Sequence, residues 1–446
     1  VNPLLFTGGA MGAVLLLLAL RVPIAFALGF GASGGLFLCY AAAGGGFDLL
    51  AGLTPTLSLL GSVPFEFIHD YPMSMIPLFI GLGHVAHHAG ITPELFHALR
   101  IWFARVPGGL AMASIVGCGG FSAVSGSSVA CASAMGRITV PEMLRYRYDP
   151  GLATGAVAAG GTLGSLIPPS LLFVIYAIFT EQSVRALFLA GILPGLLSLA
   201  GYLLTTLIWV KRRPQAAPRS DERPTRREKW RALHGIWPAT LLFGVIIGGI
   251  YGGWFTPTEA AAVSLALAIL IGLARRRLDW HSLLESLRET ALQTTTIFVI
   301  AIGAKLFVVL VSLTQVAPLL LDALQSAGVS MVTVLVAVVL LYLLLGMFLD
   351  SIGILVLTLP FTVPLVQGYG LDLVWFGVVV VKLLEIGLIT PPVGLNVFVV
   401  KSVAPASVSL ETVFRGVGWF LILDFVVLAL ILLFPQLSLL LPRLAA

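Results

Sequence analysis

Ile167-Pro168-Pro169-Ser170 interrupts one apolar run of this chain, and Ile389-Thr390-Pro391-Pro392-Val393 interrupts another far downstream. In hydrocarbon a helix broken in mid-span is tolerated only where protein or a water-filled cavity covers the freed backbone groups. Pro168 and Pro391 are 223 positions apart, and Pro141 and Pro364 are separated by the same 223. The same shift aligns Ser127 and Ser128 with Asp350 and Ser351. Two proline pairs and a polar cluster in one register point to an internal repeat whose broken helices meet at a solute-binding site.

Composition makes the surroundings of these breaks a membrane. With 59% hydrophobic and 10% charged residues, the 446-residue chain is excluded from forming an ordinary soluble core. At about 20 residues per span its length allows on the order of ten to twelve passes. Cys39, Cys118 and Cys131 lie in apolar or small-residue runs and read as packing residues, not as a disulfide or metal set. The net charge of +5 is concentrated in one segment and gives no sign of nucleic-acid binding. The first apolar run has no basic segment before it and reads as a true span rather than a cleavable signal.

Charge placement predicts the topology. Lys211, Arg212, Arg213, Arg219, Arg223, Arg226, Arg227 and Lys229 outnumber Asp221, Glu222 and Glu228, so this stretch reads as a cytoplasmic, solvated linker. The stretch from Arg105 to Arg147 is small-residue-rich and basic at both ends, with Arg100 and Arg145 adding to the flanks. It therefore enters and leaves by the cytoplasmic face, as a re-entrant hairpin with its tip at Ser125-Gly126-Ser127-Ser128. The corresponding stretch between Asp322 and Asp372 has no Lys or Arg at either end and should open to the outside. Spans are expected over 4–20, 22–43, 71–90, 184–210, 234–254, 257–274, 291–317 and 414–434, with broken spans over 151–180 and 372–400. The chain then divides into a first inverted repeat (1–210), the linker (211–231) and a second repeat (232–446), with both termini and the loop 44–70 outside. Segments 53–60 and 281–288 read as amphipathic.

Carbonyls exposed at a helix break, with hydroxyls or a carboxylate at a hairpin tip, supply the oxygen ligands a cation needs. In the first half these are Ser125, Gly126, Ser127 and Ser128 with Gly160, Gly161 and Ser165. In the second they are Asp350 and Ser351 with Thr390 and Asn396. The helix N-termini after the breaks offer a positive dipole end to an anionic solute, which places it among Ser127, Pro168, Pro169, Ser170, Pro391, Pro392 and Gly394. The small residues could instead serve close helix packing. Asp350, amid Gly346-Met347-Phe348-Leu349, is costly in a membrane and is a functional candidate by default. Lys305 could pair with it, face a solute carboxylate, or snorkel. Lys382 and Glu385, three apart, read as an ion pair on one helix face. His84, His87 and His88 read as interfacial. Thr256, Pro257 and Glu259 form a capping box, so Glu259 is structural.

The stretch SGSSVACASAMGRITVPEM (125–143), LIPPS (166–170), AGILPG (190–195), FTPTEAA (255–261), GMFLD (346–350) and IGLITPPVGLN (386–396) together resemble the large membrane subunit of tripartite ATP-independent periplasmic (TRAP) transporters. The resemblance runs over nearly the whole chain in family order and departs at Trp375, where the family often carries histidine. It implies an all-α integral protein of the bacterial inner membrane and an elevator-type secondary transporter, not an enzyme. It further implies sodium as coupling ion at the cation ligands above, no other cofactor, and import of a carboxylate-bearing solute. The expected partners are a periplasmic substrate-binding protein and a small four-span membrane subunit, separate here because the chain begins almost at its first repeat. Three other readings compete. A stand-alone carboxylate carrier has related architecture. An intramembrane serine hydrolase at Ser125 lacks a base, since His234 and His281 sit at span ends. A channel would draw its filter from oligomeric symmetry or a charged ring.

Overall fold

The structure, a computed structural model, describes residues 3–44, 46–218 and 224–445, and their regular structure is entirely helical. The first half begins with α1 (Pro3–Ala19), α2 (Ile24–Ala41), α3 (Leu49–His69) and α4 (Met75–His88). It continues through α5 (Ile91–Phe103), α6 (Gly109–Ser125), α7 (Ser128–Arg145), α8 (Pro150–Gly161), α9 (Leu171–Thr180) and α10 (Val184–Arg212). After α11 (Arg226–Gly235) come α12 (Trp237–Tyr251), α13 (Pro257–Ala274), α14 (Trp280–Thr314) and α15 (Val316–Ser326). The second half ends with α16 (Met331–Gly346), α17 (Ser351–Gly368), α18 (Leu373–Gly387), α19 (Leu395–Val403), α20 (Leu410–Leu433) and α21 (Gln436–Leu444). The starts of α7 and α17, Ser128 and Ser351, are 223 residues apart, and so are those of α8 and α18, Pro150 and Leu373. The Pro168–Pro169 and Pro391–Pro392 bonds are both cis.

Among the described residues six helices, α2, α10, α13, α14, α17 and α20, are long and apolar enough to cross a membrane. The protein is a multi-pass membrane protein. Other apolar helices, α6, α9, α15 and α16 among them, have 17 residues or fewer, about 26 Å at most by the helical rise, which is short of a full hydrocarbon core. Three expectations change at this level. The amphipathic segment 281–288 and the span 291–317 are not separate, because α14 runs unbroken for 35 residues. The loop expected over 44–70 is mostly α3, whose first turn is capped by Asp48 Oδ1 accepting from the amides of Leu50 and Ala51. The basic linker does not float. The Asp149 amide donates to the Ala216 carbonyl at 2.8 Å, and Lys229 lies over the Trp102 ring. Its residues Arg219, Asp221, Glu222 and Arg223 lie outside the described ones. The capping box at Thr256 and Glu259 is present, with the Thr256 backbone N–H donating to Glu259 Oε2 at 2.8 Å.

Packing sorts the helices into two groups that cut across the halves. One is a frame of α1, α2, α3, α4, α12, α13 and α14. The other is a unit built around α6 to α9 and α16 to α19. α10 and α20 belong to the unit: α20 lies along α8. Gly151 and Gly155 make this crossing possible, since a Cβ on Gly416 would stand 2.0 Å from the Gly151 carbonyl oxygen. Gly416→Leu should force the helices apart and lower stability by about 2 kcal/mol or more, read as a fall in thermal unfolding temperature of the purified protein. A loss no larger than that of Gly418→Leu, where a Cβ meets open space, would refute the close-packing account.

α5 bridges frame and unit. Glu94 near its start accepts two hydrogen bonds at 2.7 Å from Arg275, at the end of α13. Arg100 near its end donates to Glu142 of α7 and to the Tyr146 hydroxyl, both at 2.6 Å. Gly90 and Gly108, in the left-handed region at φ 75° and 73°, lie on either side of this helix.

Candidate functional site

The tips of α6–α7 and α16–α17 meet at the centre of the unit. Ser127 and Asp350 occupy corresponding places there, each as N-cap of the helix it begins: Ser127 Oγ accepts from the Ala130 amide at 3.4 Å and Asp350 Oδ2 from the Gly353 amide at 2.9 Å. Their helix N-termini face a cavity of about 160 Å³ lined by Gly126, Ser127, Ser128, Ser165, Asp350 and Ser351, among others. Glu385 of α18 and Gln293 of α14 complete its polar wall. Among the described residues no Lys, Arg or His lines it.

Glu385 is the residue that sequence reasoning misplaced. Lys382 does not pair with it. The Lys382 ammonium instead binds Asp424 of α20 and donates to Ser198 Oγ at 3.1 Å, while the Tyr202 hydroxyl lies 2.7 Å and 2.8 Å from the two Asp424 oxygens. Glu385 turns the other way, where its Oε2 accepts from Ser128 Oγ at 2.7 Å, and Ser128 Oγ lies 2.9 Å from Ser165 Oγ. Glu385 is 1% exposed and its Oε1 has no hydrogen-bond partner. Ser125 Oγ, Ser351 Oγ and Asn396 Oδ1 are likewise buried without partners. Unsatisfied oxygens of this kind are costly away from water; those of Glu385 and Ser351 line the cavity beside Asp350 and are donors a hard cation takes, whereas Ser125 lines a neighbouring chamber and Asn396 does not line the cavity.

The remaining predicted residues divide between the site and its supports. Gly126, at φ 62°, brings its backbone against the first break, where a Cβ would stand 2.9 Å from the Pro169 carbonyl oxygen. Gly161 is close to the Ser128 carbonyl and the Asn396 amide. Gly160 faces Cys118 of α6 and serves packing. Pro168, Pro169 and Ser170 are buried, with Ser170 capping α9. Pro391 and Pro392 are exposed and do not line the cavity. Gly394 caps α19 in the left-handed region, and the Thr390 hydroxyl is used by the Ile386 carbonyl at 2.6 Å. The second break thus reaches the cavity only through Leu388 and Leu395 on its two sides. Lys305 makes no pair with Asp350, and its ammonium lies 5.4 Å from the Phe179 ring centroid.

A second chamber of about 210 Å³ shares Ser127, Leu171 and Gln293 with the first and lies between frame and unit. His84 and His88 of α4, expected to be merely interfacial, both contact Glu289 Oε2 at 3.1 Å, and His84 also contacts Gln293 Oε1 at 3.1 Å. No local spacing signals this, because Glu289 is some two hundred residues away.

Two sets of relatives fit this architecture. Residues 11–437 match the family described as tripartite ATP-independent periplasmic transporter, DctM component. The chain belongs to that family. It is thus a TRAP transporter large permease subunit, and its role is transport rather than catalysis. The sialic acid TRAP transporter large permease SiaM of Vibrio cholerae is 34% identical, over 92% of this chain and 97% of that one. The C4-dicarboxylate large permease DctM of Pseudomonas aeruginosa is 34% identical, over 85% and 88%. The isethionate permease DctMQ of Oleidesulfovibrio alaskensis is 32% identical, over 88% of this TRAP subunit and 60% of its own length. Among solved structures the Alcanivorax borkumensis YdaH transporter superposes with a TM-score of 0.59 at 15% identity, covering 86% of this chain and 90% of that one, a likeness of fold.

Proposed function

We propose that this permease imports a carboxylate-bearing solute together with sodium across the bacterial inner membrane, working with a periplasmic binding protein and a small four-span membrane subunit. The observation that carries the reading is the central cavity. Asp350, Glu385 and the hydroxyls of Ser127, Ser128, Ser165 and Ser351 line it without a basic side chain. Such a cavity attracts cations and repels anions. An organic anion enters it favourably only after sodium has neutralised the carboxylates, and from then on the N-termini of α7 and α17 favour its negative charge. Coupling follows from this order, because solute binding requires bound sodium. The sialic acid, C4-dicarboxylate and isethionate named for the relatives are all organic anions.

In this reading the two halves are inverted repeats, α6–α7 and α16–α17 are re-entrant hairpins, and the unit slides against the frame as an elevator. Arg100, Arg105, Arg145 and Arg147 mark the cytoplasmic side, which puts both termini in the periplasm. The frame carries an apolar groove lined by Trp237, Leu241, Trp254 and Phe255, a surface suited to the small subunit.

Proteoliposomes containing this chain, its small partner and the binding protein should take up solute only with an inward sodium gradient and only with all three proteins present. Sodium-driven uptake by the purified single chain would favour a stand-alone carrier.

A further inference from the structure

We propose that the chamber between α4, α14 and α7 is a second carboxylate site, an exit station in which Arg137 receives the solute as it leaves the central cavity for the cytoplasm. The inference rests on the import reading above. Ser125, Ser133 and Arg137 of the unit face His84, Glu289 and Gln293 of the frame across a volume of about 210 Å³.

Three observations carry it. The chamber adjoins the central cavity, the two sharing Ser127, Leu171 and Gln293 in their linings. Arg137 is exposed to the chamber and makes no ion pair or side-chain hydrogen bond among the described residues. An arginine without a counter-charge, lining a chamber between frame and unit, is free to take an anionic ligand. The chamber's one carboxylate is already engaged, since Glu289 sits between His84 and His88. His87 is the remaining titratable group beside Arg137. Arg137 therefore offers a ligand a guanidinium, which the lining of the central cavity lacks.

The two cavities in series give the anion a direction. Ten residues of α7 separate Ser127 from Arg137, about 15 Å at the helical rise. When sodium leaves the centre, the Asp350 carboxylate is left without a counter-ion and repels the anion. The Arg137 guanidinium lines the adjoining chamber, and it can hold a carboxylate through two parallel hydrogen bonds. Departure of the ions and of the solute are linked by this hand-over.

Two measurements test it. In a Cys39→Ala background, Ser133→Cys is labelled from the cytoplasmic side with an anionic and a cationic methanethiosulfonate reagent. With Arg137 present the anionic reagent should have the advantage, and succinate should slow it. In Arg137→Gln the anionic-to-cationic rate ratio should fall about tenfold, the size of one lost charge-assisted contact, and succinate should no longer protect. The same variant in proteoliposomes should raise the half-saturating succinate concentration from the cytoplasmic side and leave the periplasmic-side value and the sodium dependence alone, with Arg137→Lys intermediate. Equal rate ratios in the two proteins, protection by phosphatidylglycerol vesicles in place of succinate, or equal weakening from both sides would overturn the site. Labelling needs no transport, so it decides the site even if sodium-driven import fails.

Discussion

Lys382→Met is expected to lower stability by about 3–5 kcal/mol, because it leaves Asp424 as an unpaired charge in the interior of the unit. Lys382 is 0% exposed and Asp424 1%, so water cannot replace the lost partner. The pair also ties α18 to α20, and through Tyr202 and Ser198 to α10. The double variant Lys382→Met/Asp424→Leu should recover most of the loss, since an apolar pair of similar volume removes the desolvation cost along with the attraction. Thermal unfolding of the four proteins of the cycle in detergent gives the coupling directly. Additive losses would show that the two side chains do not act as a pair.

Glu385→Gln and Asp350→Asn should each raise the half-saturating sodium concentration for uptake by about tenfold or more, as expected for losing a hydrogen-bonded carboxylate from a cation site. Both substitutions isolate charge from structure. Glutamine keeps an acceptor for the Ser128 hydroxyl, and asparagine caps a helix about as well as aspartate, so α17 retains its start. Should either variant keep its sodium response at normal expression, that carboxylate is structural and holds no sodium.

Much of the site was readable because its signals are local. A double proline must break a helix wherever it falls, and Ser127 and Asp350 announce helix starts by residue type. Glu385 escaped for the converse reason. Its spacing from Lys382 offered a complete local explanation, yet the partners of both lie on α20 and at the α6–α7 tip, joined only by packing. The clamp of His84 and His88 on Glu289 is equally non-local. The two breaks share a sequence pattern and differ in burial, since exposure depends on neighbours that the motif does not encode. Likewise, charge counting found the linker but not the Asp149–Ala216 contact that docks it.

The attachment of α5 at both ends has a mechanical consequence. With 13 residues it is a stiff strut about 20 Å long, hinged where Gly90 and Gly108 allow the backbone to swing. While the Glu94–Arg275 and Arg100–Glu142 links hold, the far end of the strut can travel only along an arc about the near one. If the unit slides against the frame as proposed, its motion would then not be a free translation: rise and tilt would be geared together through the swing of this one short helix.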